Sequence, residues 1–393
     1  MSDSFTCPSC NTDGMRVFYE AERVPAHSVL LMPDRETAVN YPRGDIRLAF
    51  CPQCGFISNV VFDHNLHEYS DRYEETQGFS ETFNTFSKKL ATHLIDRYDL
   101  NGKDIIEIGC GKGEFLTLIC ELGNNHGVGF DPAYVSERSR VAPRDGVTFI
   151  QDFYSEKYAD YAADFVCCKM TLEHIDQTDE FIGTVRRTTE GRPDTIVFFQ
   201  IPDVRRVLRD IAFWDIYYEH CSYFSPGSLA RLFRQHGFSI LDLSTDYDDQ
   251  YLMIEAKLDQ EGGKHFPALE DDLDQLTQDV QYFTTEYPKV LEGWKNYLQD
   301  AKQSNKRVVL WGSGSKAVAF LTILGITDEI AYGVDINPHK HGTYLAGTGH
   351  EIVGPEFLRG YQPDIVIAMN PVYRQEIQRD LDRMGVSAEL RTI

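Results

Sequence analysis

Between residues 80 and 98 the apolar side chains fall at Phe83, Phe86, Leu90, Leu94 and Ile95. That spacing marks one face of a helix, and Asn101-Gly102 stops it. The period then changes. Short apolar runs at 104–108, 128–130, 147–150, 164–169 and 195–200 are spaced as strands, with a helix at 114–122 and a closing strand at 252–256. Alternation of this kind predicts a parallel, doubly wound sheet. From 259 to 305 the chain is acidic and polar, and Leu269, Leu273, Leu276, Val280 and Phe283 line one face of a connector helix whose carboxylates read as a solvated face. A second strand-turn-helix unit follows, with a strand at 307–311, a turn at 312–316, a helix at 317–324, and further strands at 331–335 and 364–368. The first sixty or so residues are turn-rich and aromatic, with short strands between 22 and 50. The expected organisation is a small module over 1–62, a doubly wound domain with a helical lead-in over 63–258, a connector over 259–304, and a smaller Rossmann-like α/β domain over 305–393.

Composition narrows the function classes. The chain of 393 residues is 42% hydrophobic and 25% charged, and its formal net charge of -23 argues against a partner that is itself a polyanion. No nucleic acid is expected. The apolar runs are far shorter than the roughly 18 residues of a membrane span, so no membrane association is expected either. Met1-Ser2-Asp3-Ser4 lacks the basic and apolar regions of an export signal, and the nine cysteines, an odd number, suit a reducing compartment, so a cytoplasmic location is expected. Cys110, Cys120, Cys167, Cys168 and Cys221 are scattered and read as buried small side chains. Cys7-Pro8-Ser9-Cys10 and Cys51-Pro52-Gln53-Cys54 are not scattered. Two CxxC turns can aim four thiolates at one centre, which predicts a closed structural zinc site of Cys7, Cys10, Cys51 and Cys54.

The run Glu107-Ile108-Gly109-Cys110-Gly111-Lys112-Gly113 sits between a strand and a helix, where glycines let a ligand approach the backbone N–H groups. It reads GxGxG with an acidic residue before it, not the GxGxxG of a nicotinamide fingerprint. This is the pattern of an S-adenosylmethionine site in a class I methyltransferase fold. Glu107, Gly109, Gly111 and Gly113 form its turn, Asp131 ends the next strand where it can accept the ribose hydroxyls, and Asp152 with Phe153 stands where the adenine would lie. Acceptor chemistry is then expected after the fourth and fifth strands, around Thr171-Leu172-Glu173-His174 and Tyr217-Tyr218-Glu219-His220.

The Tyr217-Tyr218-Glu219-His220 signature, with the CxxC pairs upstream and both Gly312-Ser313-Gly314-Ser315-Lys316 and Asp335-Ile336-Asn337-Pro338-His339-Lys340-His341-Gly342 downstream, resembles the nucleotide-sugar C-methyltransferases of deoxysugar biosynthesis over nearly the whole chain. The resemblance implies methylation of a carbon next to the ketone of a nucleotide-linked keto-deoxysugar, held between the last two domains. His220 matches the base, Glu219 is implied to orient it, and Tyr217 and His174 to bind the sugar or its oxyanion. Tyr73 or Tyr69 matches a tyrosine before the cofactor domain, and Lys316, Asn337 and Lys340 are implied substrate contacts. An imidazole of ordinary basicity is a suitable base for such a proton at neutral pH. The chain departs from the family at the GSGSKAVAF turn and at Tyr73-Glu74-Glu75-Thr76-Gln77-Gly78-Phe79-Ser80, both on the substrate side. Two other readings stay open: an O- or N-methyltransferase of another small metabolite, and a zinc-containing binding module without catalysis. Monomer and dimer are equally compatible with the sequence.

Overall fold

The computed structural model describes residues 4–66, 72–136, 144–260 and 265–393. The cysteine-bearing segment is built on a long hairpin: β1 (Phe5–Thr6), β2 (Asp13–Pro25), β3 (Arg43–Phe50) and β4 (Ile57–Asn59), with the short helix α1 (Arg35–Val39) between β2 and β3. At 13 residues, β2 is longer than the short strands expected of this segment. Next comes α2 (Glu81–Tyr98), where the Ser80 side chain accepts a hydrogen bond from Phe83 N–H at the N-terminus, and Asp99 at φ +49° ends the helix. The helix therefore begins and ends where its apolar period does.

The central sheet uses β5 (Asp104–Ile108), β6 (His126–Phe130), β7 (Val147–Ile150), β8 (Phe165–Lys169) and β9 (Ile196–Pro202). Its helices include α3 (Glu114–Gly123), α4 (Thr178–Thr188) and α5 (Val204–Arg209). After the two-residue strand β10 (Ser222–Tyr223) and helix α6 (Pro226–Gln235), β11 (Phe238–Asp246) and β12 (Tyr251–Leu258) complete seven strands in the order β11-β12-β9-β8-β5-β6-β7. The expectation of an all-parallel sheet is corrected at one edge. Strand β12 runs antiparallel to β9, and β11, which the apolar pattern does not announce, runs antiparallel to β12. A tight reversal at Tyr247, Asp248 and Asp249, all at positive φ, joins them as a hairpin, so no crossover helix is needed. A bulge between Ile240 and Asp242 breaks the alternation by which β11 would have been read.

Helix α7 (Leu273–Gln303) does more than connect. Leu276, Val280 and Phe283 pack on the first sheet, and Trp294, Leu298 and Ala301 pack on the third. Its neighbourhood also corrects the reading of a wholly solvated acidic face. Asp279 is buried and pairs with Arg209 at 2.8 Å, while Asp272 just before the helix pairs with Arg231 at 2.9 Å. The third sheet contains β13 (Val308–Trp311), β14 (Tyr332–Val334), β15 (Ile352–Val353), β16 (Ile365–Ala368) and β17 (Glu389–Thr392), with all neighbours parallel. Helices α8 (Ser315–Leu324), α9 (Leu358–Tyr361) and α10 (Arg374–Met384) accompany it. Among the described residues no helix is long and apolar enough to cross a membrane.

The three sheets are not independent. Strand β10, from the chain beyond β9, pairs antiparallel with β4 and so enters the first sheet. Gly44 in β3 allows this contact, because a Cβ there would lie 2.2 Å from the ring of Tyr218. Phe283 is fully buried, edge-on to Phe18 and Tyr19, and is the main link from α7 to that sheet. Phe283→Ala is expected to cost about 3–5 kcal/mol, read as a lowered midpoint in urea unfolding.

Candidate active site

The turn after β5 is closely packed. Gly109 N–H and Cys110 N–H both donate to Phe130 O, and Gly109 stands at φ +70° with Thr171 Oγ1 only 1.9 Å from where a Cβ would be. Gly113, at φ +79°, faces the Phe149 ring at 2.3 Å in the same sense. Any larger residue would be both strained and obstructed at either position. Gly111 N–H donates to Asp131 Oδ2 at 2.8 Å, and Ala133 N–H to Asp131 Oδ1 at 2.7 Å, so this carboxylate is aimed across the turn. Burial raises its pKa above the usual carboxylate range. Glu107 lies beneath, buried, with Oε2 making no hydrogen bond, and burial lifts it to about 8 against the pull of Lys169. Asp152 turns to Tyr158 at 2.7 Å and to Lys157, and Phe153 next to it is 58% exposed.

Sequence reasoning missed Glu75. A Cβ on Gly111 would lie 2.9 Å from Glu75 Oε1, and Lys112 Nζ stands 3.6 Å from the carboxylate. Burial pushes Glu75 up to about 7, the Lys112 charge acting in the opposite direction. The segment that departs from the family pattern thus covers the glycine turn. Lys112 Nζ in turn donates to Tyr73 O at 3.0 Å and locks that segment down.

The acceptor-side residues line the same cavity as Glu75. Leu172, Glu173 and His174 form a single 3-10 turn after β8, and Met170 before it is held at φ +51°, a conformation that needs its surroundings to impose it. Tyr217 and His220 have ring centroids 4.1 Å apart, and His174 meets His220 edge-on at 4.9 Å. Burial lowers His174 to about 4 and raises the Tyr217 phenol well above its ordinary value, so both are neutral. The expectation that Glu219 orients His220 is corrected. Glu219 Oε1 accepts from Ser28 N–H at 2.6 Å and Ser28 Oγ at 2.5 Å, and lies 3.1 Å from His27 Nδ1. Burial alone would raise this carboxyl, yet the His27 charge and these hydrogen bonds hold it at about 2. Neither His27 nor Ser28 carries a motif, and both lie 191 or more positions away, so nothing in the chain announces them. Tyr73 comes within 5.3 Å of the His27 ring and lines the cavity; Tyr69 falls outside the described residues.

A cavity of about 330 Å³ runs from Glu75 past the acceptor-side residues to the C-terminal ends of β13 and β16. Clefts of this volume, at the carboxyl ends of strands, are where open α/β sheets hold ligands. Lys316, Asn337 and Lys340 line it, as the sequence suggested, but each already has a protein partner. Lys316 pairs with Asp215 at 2.8 Å and bonds Gln250 at 3.1 Å, Asn337 donates to Glu74 at 2.9 Å, and Lys340 pairs with Asp335 at 3.2 Å. Lys316 and Asn337 thereby tie the third sheet to the rest of the molecule, while Lys340 stays within it. Far from this cavity, Cys7, Cys10, Cys51 and Cys54 bring their sulfurs within 4.8 Å of one another, with Cys7–Cys54 and Cys10–Cys51 at 3.7 Å. The five other cysteines are free and buried.

Glu75 gives the glycine turn a titrating group near neutrality. A cationic sulfonium ligand prefers the ionised carboxylate, so S-adenosylmethionine affinity should rise as pH increases from about 6 to 8 and level off above, in calorimetry. Glu75→Gln should flatten that profile.

Residues 82–243 match the methyltransferase domain family, and residues 267–387 match the C-methyltransferase C-terminal domain family. The C-methyltransferase NovU of Streptomyces niveus is 25% identical over 370 residues, which cover 88% of this chain and 85% of that protein. Solved structures similar to part of the chain include magnesium protoporphyrin IX methyltransferase of Synechocystis PCC 6803 with bound SAH, at 16% identity and a TM-score of 0.36, covering 45% of this chain and 84% of that one. An S-adenosylmethionine dependent methyltransferase of Mesorhizobium loti has 16% identity and a TM-score of 0.32, covering 40% of this chain and 92% of that one. With the glycine turn, its aspartate and these two matched domains together, the chain is an S-adenosylmethionine-dependent methyltransferase that carries the C-terminal domain of the C-methyltransferases.

Proposed function

We propose that the chain methylates a carbon next to the ketone of a nucleotide-linked keto-deoxysugar. The observation that carries this reading is the reach of the cavity, which runs from Glu75, beside the glycine turn, past His220 to the strand ends of the third sheet. A nucleotide sugar has two ends, and this cavity offers a different wall to each. The cofactor, when bound, supplies an electrophilic methyl on a sulfonium. Gly109, Gly111, Gly113, Asp131 and Glu107 form its turn, with Asp152 and the exposed Phe153 at the adenine end.

The remaining steps belong to the acceptor side. A proton next to a ketone is acidic because the carbanion delocalises onto oxygen, and His220 is positioned to take it. Tyr217, as a neutral phenol, donates a hydrogen bond to the oxygen on which charge develops, and His174 borders the same space. Glu219 acts on His220 only through the backbone, since its side chain is gripped by His27 and Ser28. The reaction is tested by incubating the enzyme with nucleotide-linked 4-keto sugars in deuterated buffer and weighing the product. Deuterium uptake without methyl donor, abolished by His220→Asn, is expected, with one methyl gained on carbon when the donor is added. A methyl found on oxygen or nitrogen, with no exchange, would overturn the reading.

The same proposal includes a structural zinc at Cys7, Cys10, Cys51 and Cys54. Four converging sulfurs leave no open position for a substrate, so the ion would hold the β1–β4 segment and take no part in the reaction. Elemental analysis after dialysis should find about one zinc per chain, lost on Cys7→Ser or Cys51→Ser.

A further inference from the structure

We infer that Glu173, His174 and His220 form a second metal site, for a divalent transition-metal cation, in the wall of the substrate cavity. One ligand atom from each of the three lies within 4.8 Å of the other two, and all three residues line the cavity. Their separation is fixed by backbone contacts. Cys221 N–H, next to His220, donates to Glu173 O at 3.0 Å, and Ser222 Oγ donates to Ile175 O at 2.6 Å. The loop carrying one imidazole is thereby bolted to the turn carrying the other imidazole and the carboxylate.

The carboxylate is the decisive group. Glu173 is 2% exposed, and neither Oε1 nor Oε2 makes a hydrogen bond. Burial lifts this carboxyl to about 8, so without an ion it is kept neutral by a proton that a bound cation would displace. A proton relay to either histidine would require a hydrogen bond from Glu173, and none is made. Three donors that converge on one space without bonding through the carboxylate are arranged for an ion between them. Two imidazoles and one carboxylate suit zinc, cobalt, nickel or iron, whereas magnesium and calcium prefer all-oxygen sets. Unlike the four-cysteine cluster, three ligands leave coordination positions open toward the cavity.

The consequence for activity rests on the proposed role of His220 as base. A cation bound through that imidazole occupies the lone pair that would take the substrate proton, so the loaded site should stop proton exchange. The experiment begins with protein holding one zinc on its cysteines, titrated with cobalt(II) and followed by absorption. One further equivalent should bind with d–d bands and no thiolate-to-cobalt charge-transfer band. Glu173→Gln and His174→Asn should each weaken that binding at least tenfold, with folding checked by circular dichroism. Absence of this cobalt binding, or binding that neither variant weakens, would overturn the site. Binding is read apart from turnover, so loss of exchange in His220→Asn together with no cobalt bound would leave the proposed reaction standing and remove the site. Cobalt that binds and inhibits exchange supports both. Cobalt that binds and stimulates exchange keeps the site but overturns His220 as the base.

Discussion

The position of His220 depends on how its neighbour Glu219 is held, by partners 191 or more positions away in the chain. Glu219 is buried and ionised because Ser28 and His27, at the end of the first hairpin, supply its counter-dipoles and its counter-charge. Remove that grip and a charged group would be left in the protein interior, a loss of several kcal/mol that the loop could escape only by moving. The pairing of β10 with β4 adds backbone hydrogen bonds on the other side of the same loop. The cysteine-bearing segment therefore does not sit apart as an accessory. It holds the loop that carries the acceptor-side residues.

The molecule also contains the same turn twice. After β5, Gly111 N–H and Ala133 N–H each donate to one oxygen of Asp131; after β13, Ser313 N–H and Asn337 N–H each donate to one oxygen of Asp335. What distinguishes the second is a direct ion pair. Lys340 Nζ lies 3.2 Å from Asp335 Oδ2 and donates to Ser313 O, so the second aspartate is neutralised from within. An acceptor already satisfied by an ammonium is poorly placed to take two ribose hydroxyls. The second turn instead closes the far wall of the cavity, where Lys316 and Asp215 join it to the central domain.

Between these walls, Glu75 and Lys112 make the cofactor side sensitive to charge. The carboxylate is close enough to Gly111 to fill the space that a side chain there would need, and it is held in a low-dielectric setting. A ligand bearing positive charge would find its complement there. Segment 73–80 thus touches both regions, reaching the glycine turn through Glu75 and the third sheet through Glu74 and Gln77.

The sequence by itself determined what depends on neighbours within about twenty positions. The strand, glycine turn and helix from Asp104 to Gly123, the Ser80 cap of α2, the CxxC turns and the second βα unit are all governed by short-range period, turn geometry and residue size, and these are written in consecutive letters. Only the tertiary structure decided the rest. It turned Glu219 toward His27 rather than His220, buried Asp279 against Arg209, engaged Lys316 with Asp215, and reversed the direction of β11 and β12. In each case the partner lies far along the chain or the alternation is broken by a bulge. A charged side chain near a cavity has several oppositely charged groups it could reach, and the choice among them is made by which backbone the packing brings within 3 Å or so. Side-chain identity set the chemistry available, and burial decided which pairs had to form.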